Sequence, residues 1–109
     1  MLGVKAGIDP LKLLEILKVS TGSNRALDQY PRSVLKGEFE ARFKLSLACK
    51  DLRLALQMAK EYNIDMPVVA NACAQQFFKA EAEGWGELEH QTVIWLTERE
   101  AGVQVRAKK

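Results

Sequence analysis

Two charged residues stand side by side in an otherwise apolar helical stretch: Lys50 and Asp51, in Phe43-Lys-Leu-Ser-Leu-Ala-Cys-Lys50-Asp51-Leu-Arg-Leu-Ala-Leu. Three and four residues from Lys50 lie Leu47, Leu54, Ser46 and Arg53. A charge in that setting must reach an opening, find a partner or carry a desolvation cost. The pattern allows a lysine that snorkels to solvent and an aspartate that pairs with a neighbouring helix. It also allows a pair that lines a cleft. Phe43 precedes Asp51 by eight residues, about two helical turns with a small offset, so both can face one opening.

The run Ser20-Thr-Gly-Ser-Asn24 is a second candidate. Hydroxyl and amide groups around Ser20 and Gly22 can bind a carboxylate or a phosphate, yet such a run also serves as a plain helix stop. His90 is the one histidine, near the start of the last predicted helix, and reads as a surface or capping residue. Cys49 and Cys73 fall among apolar neighbours and read as small buried hydrophobes. No Cys/His group has metal-ligand spacing, so no metal is expected. Trp85 and Trp95 read as packing residues, and Asp9 as a helix cap.

The elements that must position these residues are helical. The chain has 109 residues, 48% hydrophobic and 28% charged, with a net charge of +2. That suits one folded domain rather than a disordered chain. Basic residues are dispersed, which argues against a nucleic-acid surface. Alternating strand patterns are almost absent. Met1–Gly7 reads as the tail of a helix with nothing before it to start it, a sign of truncation. Asp9-Pro10 opens a helix by a side-chain cap and a proline that needs no donor. Its apolar face is Leu13, Leu14, Ile16 and Leu17, and Ser20–Asn24 stops it. Residues 25–42 read as a short helix, broken at Tyr30-Pro31, and then a loop through Phe39. The longest helix spans about Phe43 to Tyr62. One stripe is Leu45, Ala48, Leu52, Ala55, Ala59 and Tyr62, the other Phe43, Leu47, Leu54 and Met58, so neighbours are expected on both sides. It closes at Asn63. Asp65-Met66-Pro67 opens the next helix, with Val68, Val69, Ala72, Cys73, Phe77 and Ala80 as its apolar positions and Gly84 as its end. Gly84-Trp85-Gly86 is a tight connection. The last helix runs from Leu88 to about Glu100, stopped by Gly102, and Val103–Lys109 reads as a frayed basic tail. The expected fold is an all-α bundle forming a single domain.

No apolar run of about 18 residues is present, so no membrane helix is expected. Lys5 and Asp9 interrupt any signal-peptide core. The expected location is the cytoplasm, or the mitochondrion for a eukaryotic parent with a transit peptide.

Several motifs occur in order: Gly7-Ile-Asp-Pro-Leu-Lys-Leu-Leu-Glu-Ile-Leu, then Ser20-Thr-Gly-Ser-Asn, then Phe43-x-Leu-x-Leu-x-x-Lys50-Asp51-Leu-x-Leu-Ala, then Met66-Pro67 and Gly84-Trp-Gly86. Over about residues 1–98 the chain resembles the C-terminal domain of the β-hydroxyacid dehydrogenases, the 3-hydroxyisobutyrate dehydrogenase family, whose helical bundle is like that of 6-phosphogluconate dehydrogenase. The resemblance implies a substrate-side and dimerisation domain. Its partner would be an N-terminal Rossmann domain that holds NAD or NADP, the substrate a small hydroxy acid, and the assembly a homo-oligomer. It implies that Lys50 projects toward the cofactor, that Phe43 and Asp51 contribute to the substrate side, and that the loop of Ser20 and Gly22 lies close to the cleft. The family's acid/base lysine, in Gly-x-x-x-Lys-x-x-Asn, does not occur here and is expected upstream of Met1. Nor does the Gly-x-Gly-x-x-Gly fingerprint that cradles a pyrophosphate occur. The chain alone is therefore expected to be inactive. The competing expectation is a helical interaction or oligomerisation module without catalysis.

Overall fold

A computed structural model describes residues Met1–Ala107. These residues are helical, with no strand among them and one isolated antiparallel bridge, Lys44 to Glu89. The chain divides into two compact units: residues 1–39 together with 94 onward, and residues 40–93.

The first unit begins with α1, Leu2–Lys5, and α2, Pro10–Lys18. The Asp9 carboxylate accepts from the N–H of Leu11 at 3.0 Å and of Lys12 at 3.1 Å, as expected of a cap. The two helices pack so closely that a β-carbon on Gly3 would lie 2.9 Å from Leu13. The face expected of α2 needs correction. Leu14 is buried and Leu13 partly so, while Ile16 is 50% exposed. At 100° per residue Leu13 and Leu14 flank the buried Pro10, whereas Ile16 lies about 120° from it, and Leu17 is 38% exposed.

Residues 25–35 correct a second expectation. A 3₁₀ turn, Arg25–Asp28, is capped by Asn24, whose side chain accepts from Ala26 N–H at 3.0 Å. A wide π-turn follows at Pro31–Leu35, and Tyr30 keeps helical dihedrals, φ −57 and ψ −36, rather than breaking the chain. Pro31 sits in the first turn, where its missing donor costs nothing. The Tyr30 carbonyl accepts from Val34 at 3.0 Å and Leu35 at 2.9 Å. Ser33, Val34 and Leu35 are buried, and that packing holds Tyr30 where a following proline is unfavourable.

The unit closes with α5, Ile94–Ala101, which ends at Gly102 in a left-handed conformation, φ +63. The expected helix from Leu88 to about Glu100 is therefore divided into a 3₁₀ turn, His90–Val93, and α5. The residues after Gly102 are not frayed as far as Ala107. Val105 N–H donates to Glu98 at 2.8 Å, the Arg106 guanidinium donates to the same carboxylate at 2.7 Å, and Ala107 N–H donates to the Leu35 carbonyl at 3.0 Å. Val105 and Ala107 pack on the cluster of Leu14, Leu27 and Leu35. A buried carboxylate left without these donors would be costly, which explains why the tail is ordered. Lys108 and Lys109 lie outside the described residues. Two cavities occur in this unit. One is open, about 590 Å³, and bordered by Phe39, Trp95, Glu98 and Arg106; the other is apolar, about 90 Å³, and bordered by Leu14, Leu17 and Tyr30.

The second unit is a pair of helices, α3, Leu45–Glu61, and α4, Val68–Ala80. Asn63, at φ +54, turns the chain between them, and Gly84, at φ +89, lets it leave the wide turn Glu81–Trp85. Leu45, Cys49 and Ala59 of α3 are buried, as are Ala74 and Ala80 of α4 and Thr92. The Cys49 thiol donates to the Phe77 carbonyl at 3.4 Å. Burial pushes that thiol above its ordinary pKa, and the Glu81 carboxylate adds to the shift. Glu81 also pairs with Arg53, whose guanidinium lies 4.7 Å from the Phe78 ring centre. The expectation that α3 is covered on both sides is not met. Leu45, Cys49, Leu52, Leu56 and Ala59 face inward or partly so, whereas Leu54 and Met58 are more than half exposed. In α4 the inward positions include Ala70 and Ala74, while Val68, Val69 and Ala72 are exposed. Cys73 is exposed too, contrary to its expected burial.

Candidate functional site

The outward side of α3 carries the candidate chemistry. Taking Leu47 as reference, the helical screw places Leu54 and Met58 within about 20° of it, Asp51 about 40° to one side and Lys50 about 60° to the other. This face is thus a ridge of Leu47, Leu54 and Met58, 42%, 56% and 55% exposed, with a cation and an anion at its flanks. Lys50 Nζ lies 3.1 Å from Asp51 Oδ1, and each side chain is 59% exposed. Neither residue borders either of the two cavities described above, and both groups meet solvent. Such an exposed pair contributes little to stability, so the fold gives no reason of its own for a charge pair among these leucines.

Phe43 stands at the entry to α3, 39% exposed. The segment after Gly84 holds it there. Glu89, which is 3% exposed, accepts from Arg42 N–H at 2.8 Å and Phe43 N–H at 3.3 Å. His90 N–H donates to the Phe43 carbonyl at 2.9 Å, and its ring meets the Phe43 ring edge-on, with centres 5.5 Å apart. Leu45 N–H donates to Leu88 at 2.9 Å and Ser46 N–H to Gly86 at 3.0 Å, so the free amides of the α3 N-terminus are satisfied by this strap. His90 Nδ1 lies 2.5 Å from the Glu89 carboxylate. Burial pushes the Glu89 carboxyl up, but the Arg42 and Phe43 amides and His90 outweigh it and leave the group below its ordinary value. His90 is therefore a half-buried partner of Glu89 and Phe43 rather than a surface residue. Sequence reading missed Glu89. The one available signal was a charged residue beside the single histidine, just after a glycine-rich turn.

Ser20 and Gly22 belong to the other unit. The Ser20 hydroxyl donates to the Leu17 carbonyl at 2.9 Å, and Asn24 Nδ2 donates to the Gly22 carbonyl at 3.0 Å. These bonds end α2 and start the 3₁₀ turn, and the loop is exposed. Trp95 meets Phe39 edge-on at 4.8 Å, a packing role as expected. Among the described residues no group of three or more His, Cys, Asp or Glu residues could hold a metal ion, and no helix is long and apolar enough to cross a membrane.

Residues 1–97 match the family model described as NAD-binding of NADP-dependent 3-hydroxyisobutyrate dehydrogenase. The chain belongs to this family. It is 36% identical over 106 residues to 2-(hydroxymethyl)glutarate dehydrogenase of Eubacterium barkeri, covering 96% of this chain and 35% of that protein. It is 34% identical over 94 residues to 2-hydroxy-3-oxopropionate reductase of Escherichia coli K12, covering 86% of this chain and 32% of the relative. The crystal structure of a 3-hydroxyisobutyrate dehydrogenase from Salmonella typhimurium shares the helical fold, with a TM-score of 0.79 and 23% identity over 87% of this chain and 33% of the other. The chain thus spans about a third of the length of these relatives.

A family that uses NAD(P) poses a test of fit. The outer face of α3 offers an exposed ammonium at Lys50 beside apolar Leu47 and Leu54, which suits the edge of a nucleotide or a carboxylate. No glycine-rich turn of the pyrophosphate-binding pattern occurs in the chain. The residues present therefore fit one side of such a ligand. Bound in the family's proteins, the nicotinamide would supply the hydride chemistry.

Proposed function

We propose that this chain is the helical, C-terminal, substrate-side domain of an NAD(P)-dependent β-hydroxyacid dehydrogenase, whose parent interconverts a short 3-hydroxy acid and its semialdehyde. The single observation that carries this is the outer face of α3, an apolar ridge left open with Lys50 and Asp51 at its flanks. In this reading a nucleotide-binding domain covers that face. Desolvation at the covered face strengthens every charge interaction made there. Lys50 then meets the cofactor, and Phe43 and Asp51 form the substrate side. The acid/base group and the pyrophosphate cradle come from the other domain, so the chain alone does not turn over. Its location is the cytoplasm, or the mitochondrion for a eukaryotic parent.

The test is a chimera in which this chain replaces the matching third of a full-length relative, assayed for NAD(P)H-linked oxidation of small hydroxy acids. Lys50→Ala should lower kcat/KM about a hundredfold, the loss of one charge-assisted contact. Its exposed position should leave helicity by circular dichroism unchanged. Unaltered kinetics would remove Lys50 from the site. The same exposed ridge supports self-association, since large apolar patches favour contact. A stable monomer in light scattering at high concentration would count against that part.

A further inference from the structure

We propose that Glu89 is a positioning residue that holds Phe43 in its substrate-facing place, with His90 as its second hand. The inference rests on the reading of Phe43 as a substrate-side residue. Nothing in helix propensity fixes Phe43, because it precedes α3 and is free to adopt many backbone conformations. The structure supplies the constraint from 46 residues away, through the buried Glu89 carboxylate on the Arg42 and Phe43 amides. His90 completes the hold from the carbonyl side and from the ring edge. Lys44, the intervening residue, points to a different acid, Glu87, at 2.6 Å, so it does not compete for Glu89. A carboxylate that accepts two adjacent amides fixes both peptide planes, and with them the direction of the Phe43 Cα–Cβ bond. An amide side chain at position 89 keeps the shape but loses the charge, so each of these bonds weakens.

Two measurements decide it. In the unmodified chain, hydrogen exchange should show the Arg42 and Phe43 amides protected to the level of the α3 core although they lie outside the helix. Fast exchange at both would overturn the proposal. In the chimera, Glu89→Gln should raise KM for the hydroxy acid about tenfold with kcat changed less than about twofold, the pattern of a lost ground-state contact. Glu89→Asp should recover part of it. Phe43→Ala should raise KM to a similar extent, and the double variant should be no worse than Phe43→Ala alone, because Glu89 acts through Phe43. If Phe43→Ala raises KM and Glu89→Gln does not, the positioning role falls while the site reading stands. If Phe43→Ala itself leaves KM unchanged, the site reading of Phe43 falls first.

Discussion

Each compact unit buries one glutamate, and the two differ in what surrounds it. Glu98, 6% exposed, is closed by a cation, Arg106, together with the Val105 amide, and the product is a folded-back tail. Arg106 then lies 5.4 Å from the Phe39 ring centre and extends the same clasp. Glu89, 3% exposed, is closed mainly by two backbone amides at the entry to a helix, and the product is a fixed approach to α3. The first arrangement is complete in itself and serves stability. The second fixes the backbone of Phe43, whose side chain is 39% exposed. The same residue type thus closes a tail in one place and fixes a helix entry in the other, and the donors decide which.

The comparison can be broken first at the helices. Leu45 has no exposed surface and Leu47 is 42% exposed on the same helix. Leu45→Ala should cost about 3 kcal/mol, as a buried leucine truncation does, whereas Leu47→Ala should cost less than about 0.5 kcal/mol, as exposed substitutions do. Denaturant melts read both; equal costs would mean that the open face of α3 is covered by something else.

Glu98→Ala should come next, at about 2 kcal/mol, less than a fully buried pair costs because the Arg106 side chain retains 25% exposure. Hydrogen exchange should quicken at Val105 and Ala107. Unchanged exchange there would show that the tail is held by its apolar contacts alone. Asp9→Ala should cost about 1 kcal/mol through the lost cap, seen as a lower melting temperature with α3 amides unaffected.

The gentlest perturbation is acid. The Glu89 carboxyl is held below its ordinary pKa, so its contribution is present in full above 4.5 and is lost as pH falls through the lowered value. Arg42 and Phe43 amide signals in nuclear magnetic resonance should move in that range, before the α4 signals do. Amides that stay put until global unfolding would contradict the strap.

Much of the helical plan was legible. Asp9-Pro10, Asn63 and Gly84 mark boundaries by local chemistry, namely a side-chain acceptor, a proline without a donor and residues that tolerate positive φ. The periodicity of α3 identified its length, and the order of motifs pointed to the family. Periodicity could not say which of two apolar stripes is covered, because burial depends on what stands opposite. The same limit misplaced Ile16 and Cys73. Tyr30-Pro31 was read as a break because a local steric preference was weighed without the burial of Ser33, Val34 and Leu35 that overrides it.

By itself, then, the sequence determined the helices, their caps and the adjacency of Lys50 with Asp51, because those depend on neighbours within a few residues. Tertiary structure alone decided that the two charges flank an open ridge, that Glu98 gathers the tail, and that Glu89 reaches back across 46 residues to Phe43. Contacts of that range are set by which surfaces meet, and no local pattern of residue types encodes which surfaces those are.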